Sequence, residues 1–258
     1  MLKTVKEVFR FRELLFELVK RDLKIKYRRS MLGVLWSVLN PLLFMSITSI
    51  IFSTMFKVQI PNFPIYFLCG QIIFTFFAES TSLAQNGIIG NGALIKKVYT
   101  PKYIFPLSKI CFALINTLFS LVAILIITLF MGYSLPLTSI LFLIPILYVF
   151  IFSVGVGILL SALTVFYRDI LHLYSIFISL LSFFSAIFYP VEIIPEKVRT
   201  FVLFNPVYVF ISYFRDLILH GKLPGLGTNL LCIAYCSLSI LIGFIVFKKN
   251  ENKLVLFI

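Results

Sequence analysis

Residues 104–131 read IFPLSKICFALINTLFSLVAILIITLFM, and one charge, Lys109, interrupts them near the start. A helix rises 1.5 Å per residue and needs about 20 apolar residues to cross a hydrocarbon core about 30 Å thick, so this stretch predicts a membrane-spanning helix. Similar runs lie on either side, and spans are expected over 32–56, 65–84, 104–131, 138–166, 170–189 and 230–247. Within the first, Asn40-Pro41 predicts a kink or a local helix start, because proline lacks the amide and its ring crowds the preceding turn. The second carries Glu79 beside Ser80, Thr81 and Ser82, a face that must meet protein or water rather than lipid.

The whole chain has the same character. Of its 258 residues 60% are hydrophobic and 13% charged, and a mean hydropathy of +1.06 lies outside the range of a soluble domain. The net charge of +13 does not point to nucleic acid, because the basic residues sit in short blocks between apolar runs. Eighteen of the 23 lysines and arginines fall in or beside segments that the positive-inside rule assigns to the cytoplasm, together with both termini. Charges crowd the first 31 residues ahead of any long apolar run, which argues against a cleaved signal peptide.

Three segments are not spans. Phe11, Leu14, Leu15, Leu18 and Val19 recur at helical spacing while Lys20, Arg21, Lys24 and Lys26 thicken the other side, so residues 1–31 predict an amphipathic helix lying on the membrane surface. Residues 85–106 gather Gly87, Gly90, Gly92 and Pro101 and predict a cytoplasmic connection with one short helix. In 190–224 the apolar stretch is too short to cross and is broken by Pro206, which predicts two short helices that dip into the outer side and return. The expected fold is therefore all-α, a six-helix transmembrane domain over 32–258 behind the N-terminal interface helix.

Chemistry is sparse. The sequence has no G-x-x-x-x-G-K-[ST] loop and no H-E-x-x-H pair. Cys69, Cys111, Cys232 and Cys236 all lie in apolar runs, and with two histidines no metal set assembles, so neither a catalytic, a cofactor nor a metal site is expected. Energy for transport would then come from a partner or a gradient, and Glu79 alone inside a span is meagre support for a gradient. Trp36, Phe76, Phe77, Phe183, Phe184 and Tyr189 fit two roles, packing among lipid and helices or offering flat faces to a sliding sugar chain.

Residues 21–43, RDLKIKYRRSMLGVLWSVLNPLL, resemble the opening of permease subunits of type-2 ABC exporters for O-antigen and teichoic acid. NGALIKKVYTPKYIFP at 91–106, VFYRD at 165–169, YPVEIIPEKVR at 189–199 and LFNP at 203–206 extend the resemblance, in order, over nearly the whole chain. It implies a homodimer in the bacterial cytoplasmic (inner) membrane, with two cytoplasmic nucleotide-binding subunits that carry ATP and Mg. The implied cargo is a polysaccharide on a polyprenyl-diphosphate lipid.

By the same resemblance the 11–26 helix and the 92–103 segment contact the ATPase partner. Lys96, Lys97, Tyr99 and Tyr103 are then the coupling residues, with headgroup anchoring as the other role open to Lys96 and Lys97. Arg28, Arg29 and Arg168 fit either anchoring of helix ends or contact with the lipid diphosphate. Asn205, Pro206 and Tyr208 correspond to an outer gate, or to a lid over helix ends. Two departures stand out: 70–74, GQIIF, lacks a tryptophan that many relatives have, and Ser212 replaces a frequent acidic residue. A drug or free-lipid exporter is the rival within transport. A membrane sugar transferase is the rival among enzymes, although Asp169, Glu192 and Glu196 are few and split between sides.

Overall fold

The computed structural model of the chain describes residues 7, 9–28, 30–54 (backbone alone at 53 and 54), 60–97, 100–254 and 257. Every described element is helical: α1 Arg12–Tyr27, α2 Leu35–Thr54, α3 Phe63–Gln85, α4 Gly92–Lys97, α5 Ile104–Phe130, α6 Leu143–Phe166, α7 Ile170–Phe184, α8 Glu196–Leu203, α9 Pro206–Arg215 and α10 Leu226–Leu254. Tighter turns at Ile89–Asn91, Leu137–Phe142 and Val191–Ile193 lead into α4, α6 and α8, and a wider π turn, Asp216–His220, extends α9.

Local chemistry sets several boundaries. Asn62 takes the left-handed conformation (φ 54°) and Pro64 sits in the first turn of α3, where its missing amide is no loss. Asn205 caps α9 by accepting from the Val207 amide at 3.0 Å, again with proline in the first turn. Pro41 lies inside α2, which continues through it.

Among the described residues five stretches are long and apolar enough to cross a membrane: α2, α3, α5, α6 with its leading turn, and α10. A sixth arises only if α8 and α9, bent by 83° at Phe204–Asn205, count as one span. The expected span over 170–189 is corrected here. The helix has 15 residues and ends at Phe184, because Ala186 turns left-handed (φ 47°) and Pro190 cannot continue a helix. Conversely α10 carries helix through Lys248, Lys249 and Lys253, beyond the expected end at 247.

α3 is the central helix, packed against α2, α5, α6, α7 and α9, and α6 pairs extensively with α10. The main core is aromatic, with Phe67, Phe76, Phe210 and Phe214 fully buried. A second cluster joins Leu18 of α1, Ile88 and Ile95 of the 86–97 connection, Phe105, Val165 at the end of α6, and Phe247 and Leu254 of α10. The segments with most of the lysines and arginines thus meet at one end of the bundle, the basic end. A small cluster of Ala186, Val191 and Val202 marks the far end.

Candidate functional site

At the basic end one buried carboxylate ties three segments together. Asp22, 8% exposed, sits on the apolar side of α1 in register with Leu15, Leu18 and Val19. It accepts from Lys109 of α5 at 2.7 Å and from Arg21 at 3.1 Å. Arg21 also donates to Asn91 Oδ1 at 3.1 Å, and Asn91 anchors to the Gly87 carbonyl at 2.8 Å. Asp22→Asn keeps the shape but leaves Lys109 without its counter-charge, so α1 should lose about 1–3 kcal/mol of docking free energy. Hydrogen exchange should quicken across residues 12–27 with α6 and α10 unchanged; equal exchange in both proteins would refute the tie.

From that end a polar seam runs along α2, α3 and α5. Lys26 pairs with Glu79 at 3.1 Å, and Asn116 donates to the same carboxylate oxygen at 3.2 Å. The Tyr27 hydroxyl lies 2.6 Å from Ser37 Oγ and donates to Asn116 Oδ1 at 2.9 Å. Further along, the seam widens into a pocket of about 190 Å³ lined by Asn40, Phe44, Gln71, Thr75, Glu79 and Ser120. Pro41 removes the amide that would bond the Ser37 carbonyl. Ser120 of α5 offers its hydroxyl instead, 2.9 Å from that carbonyl and 3.0 Å from the Asn116 carbonyl of its own helix. Ion pairs and amides at this depth are tolerated where they face protein or water.

At the far end the same economy of partners recurs around Arg215, 4% exposed. Its Nε donates to the Tyr66 carbonyl at 3.2 Å, Nη1 to Ala186 at 2.9 Å and Nη2 to Ile187 at 3.1 Å. The guanidinium also lies 3.5 Å from the centre of the Tyr66 ring. Among the described residues no carboxylate lies within ion-pair distance of it. One side chain therefore holds α9, the turn after α7 and the start of α3. The left-handed Ala186 is what aims two successive carbonyls at the arginine.

The residues singled out from sequence fall into distinct places. Lys96 and Lys97 are exposed at the end of α4, and Arg28 and Arg168 are exposed beside helix ends. Tyr103 is buried and donates to Glu7 at 2.8 Å. Burial, with the Glu7 carboxylate, holds that phenol above its ordinary range, so it stays a donor. Arg29 and Tyr99 lie outside the described residues. Phe76 and Phe77 belong to the closed core, Phe77 against Phe152, and are not free to stack on a sugar. Trp36, Phe183 and Phe184 are exposed, at 41%, 60% and 46%. Tyr189 is half-buried and its hydroxyl donates to the Phe183 carbonyl. Asn205 is buried and donates to the Phe184 carbonyl at 3.0 Å and to Ser185 Oγ at 3.1 Å, joining α7 to α9, with Pro206 and Tyr208 half-buried beside it. Sequence reasoning passed over Asp22, Lys109, Asn116 and Arg215. A lone arginine after VYVFISYF and an acid in the apolar register of α1 were the available signals.

An apolar helical bundle with a polar seam along three of its helices is the build of a membrane permease. Residues 13–219 match the ABC-2 type transporter family, and the chain belongs to that family. It is similar to two O-antigen export system permease proteins RfbA of Klebsiella pneumoniae, each 33% identical over 243 residues and 93% of either chain. An RfbA of Myxococcus xanthus is 30% identical over 226 residues, 87% of either chain. The polysialic acid transport protein KpsM of Escherichia coli is 24% identical over 243 residues, 91% of this chain and 92% of its own.

Proposed function

We propose that this chain forms, as a homodimer in the bacterial inner membrane, the path of an ATP-driven exporter for polysaccharide carried on a polyprenyl-diphosphate lipid. The observation that carries the reading is the polar seam of α2, α3 and α5, which offers hydroxyls, amides and one carboxylate along a membrane-spanning direction. Weak, repeated contacts of that kind suit a polymer that must slide. The relatives' names, with O-antigen export among them, support a polysaccharide cargo.

In this reading the basic end faces the cytoplasm, where ATP and Mg belong to two nucleotide-binding subunits. α1 lies along the inner surface as the interface helix of residues 1–31. The 85–106 connection receives the partner's motion through Lys96, Lys97, Tyr99 and Tyr103, and the Asp22 tie and the Tyr103–Glu7 bond pass it to α5 and α1. Arg28, Arg29 and Arg168 meet the lipid diphosphate or headgroups at the entrance. α8 and α9, dipping from the outer side within 190–224, act as the gate, with Asn205 fixing α9 to α7.

The test is co-expression with candidate ATP-hydrolysing subunits, purification in lipid nanodiscs, and measurement of ATPase rate. A stable complex stimulated by a polyprenyl-diphosphate-linked glycan is expected. Stimulation by a drug or a free lipid in place of the glycan would move the assignment to that cargo, and no complex with no stimulation would overturn the exporter reading.

A further inference from the structure

The far end holds a cavity of about 450 Å³ between the start of α3, the turn before α8 and the π turn after α9. That volume is in the range of small-molecule sites. Asn62, Tyr66, Glu192, Tyr208, Asp216 and His220 are among its lining residues. Arg215 also borders it, but Nε, Nη1 and Nη2 each already donate to a backbone carbonyl, so at most two of its five N–H groups remain for a ligand. The other charges are the carboxylates of Glu192 and Asp216, the latter 2.9 Å from His220 Nδ1. Such a lining opposes an anionic headgroup and has hydrogen-bond acceptors in surplus.

A ligand that brings many donors, no charge and flat C–H faces fits these groups. Sugar hydroxyls donate to carboxylates and to the Asn62 side-chain carbonyl oxygen, and with the Tyr66 ring occupied by Arg215 it is Tyr208 that is left to meet the C–H face of a pyranose. We propose that this cavity is a saccharide-binding subsite for neutral sugar residues at the end of the path remote from the basic end. The proposal rests on the export reading, and its effect is to hold sugar units weakly as they emerge and so to oppose backsliding.

The test is site-specific photo-crosslinking in cells that make and export the polymer. p-Benzoylphenylalanine replaces Leu219, which lines the cavity, Phe44, which lines the seam pocket, or the lipid-exposed Leu241 on α10. A glycan-bearing ladder on the irradiated protein is expected at positions 219 and 44 and not at 241. Adding Glu192→Gln with Asp216→Asn should weaken the ladder at 219 roughly tenfold and leave that at 44 unchanged. A ladder at 44 with none at 219, or equal ladders at 219 and 241, would overturn the subsite and leave export standing. No ladder at 219 or 44 in a correctly assembled protein would overturn both.

Discussion

Arg215→Ala is expected to cost on the order of 3–5 kcal/mol of stability, because it strands three inward-facing carbonyls that a single guanidinium now satisfies. Arg215→Lys should recover less than half of that. One ammonium cannot reproduce a planar fork whose three nitrogens point to three oxygens, nor its stacking on Tyr66. Gly70→Ala should act in the same direction, since its Cβ would meet Nη2 of Arg215 at 2.6 Å. Unfolding of the purified protein in mixed micelles measures all three, and an Arg215→Ala protein as stable as the parent would refute the clamp. On the export reading proposed above, export should fall in step with the loss, because α9 would keep only the Asn205 tie to the end of α7.

The second large effect is expected where α6 meets α10. A Cβ at Gly243 would lie 2.2 Å from the Gly155 carbonyl oxygen, and one at Gly155 would lie 2.3 Å from the Ser239 carbonyl carbon. The obstacles are backbone atoms, so Gly243→Ala or Gly155→Ala must push two long helices apart rather than turn a side chain aside. Overpacking of this kind costs about 1–3 kcal/mol and often more. Ser239 and Gly243, four residues apart, form the small-residue face that allows the approach. Gly157→Ala is the internal comparison, since its Cβ would meet side-chain atoms of Ala84 and Ile110 at 2.9 Å. The same unfolding assay should rank Gly157→Ala as the mildest of the three; the reverse order would show that the contact yields easily.

Much of this architecture can be read directly from hydropathy. The runs at 65–84, 104–131 and 138–166 match α3, α5 and the stretch Leu137–Phe166 to within two residues, because span length and apolar density suffice to define them. The stretch 170–189 misleads for the opposite reason. Its composition stays apolar to Tyr189, while the helix ends five residues earlier through a backbone reversal at Ala186 that no side-chain pattern announces. Asp22 was legible in principle, since an acid in register with Leu15, Leu18 and Val19 must find a cation. That the cation is Lys109, or that Arg215 seeks carbonyls and not an acid, depends on pairings 87 and 149 residues apart in sequence. Aromatic type alone also failed to separate Phe76 and Phe77, sealed in the core, from the exposed Phe183 and Phe184.

The borrowed hydrogen bond at Pro41 makes α2 an articulated strut. Up to Asn40 the helix is tethered sideways, by Ser120 to α5 and by Tyr27 to the end of α1. Beyond Pro41 it leans instead on α3 through the stacked pairs Phe44–Phe67 and Phe52–Phe63. With the Pro41 amide missing from an otherwise continuous ladder, the joint is softer than the rest of the helix, and Ser120 of the neighbouring helix contributes to its stiffness. A displacement of α1 or α5 at the basic end would then be met at mid-helix, where the half of α2 beyond Pro41 rests on α3.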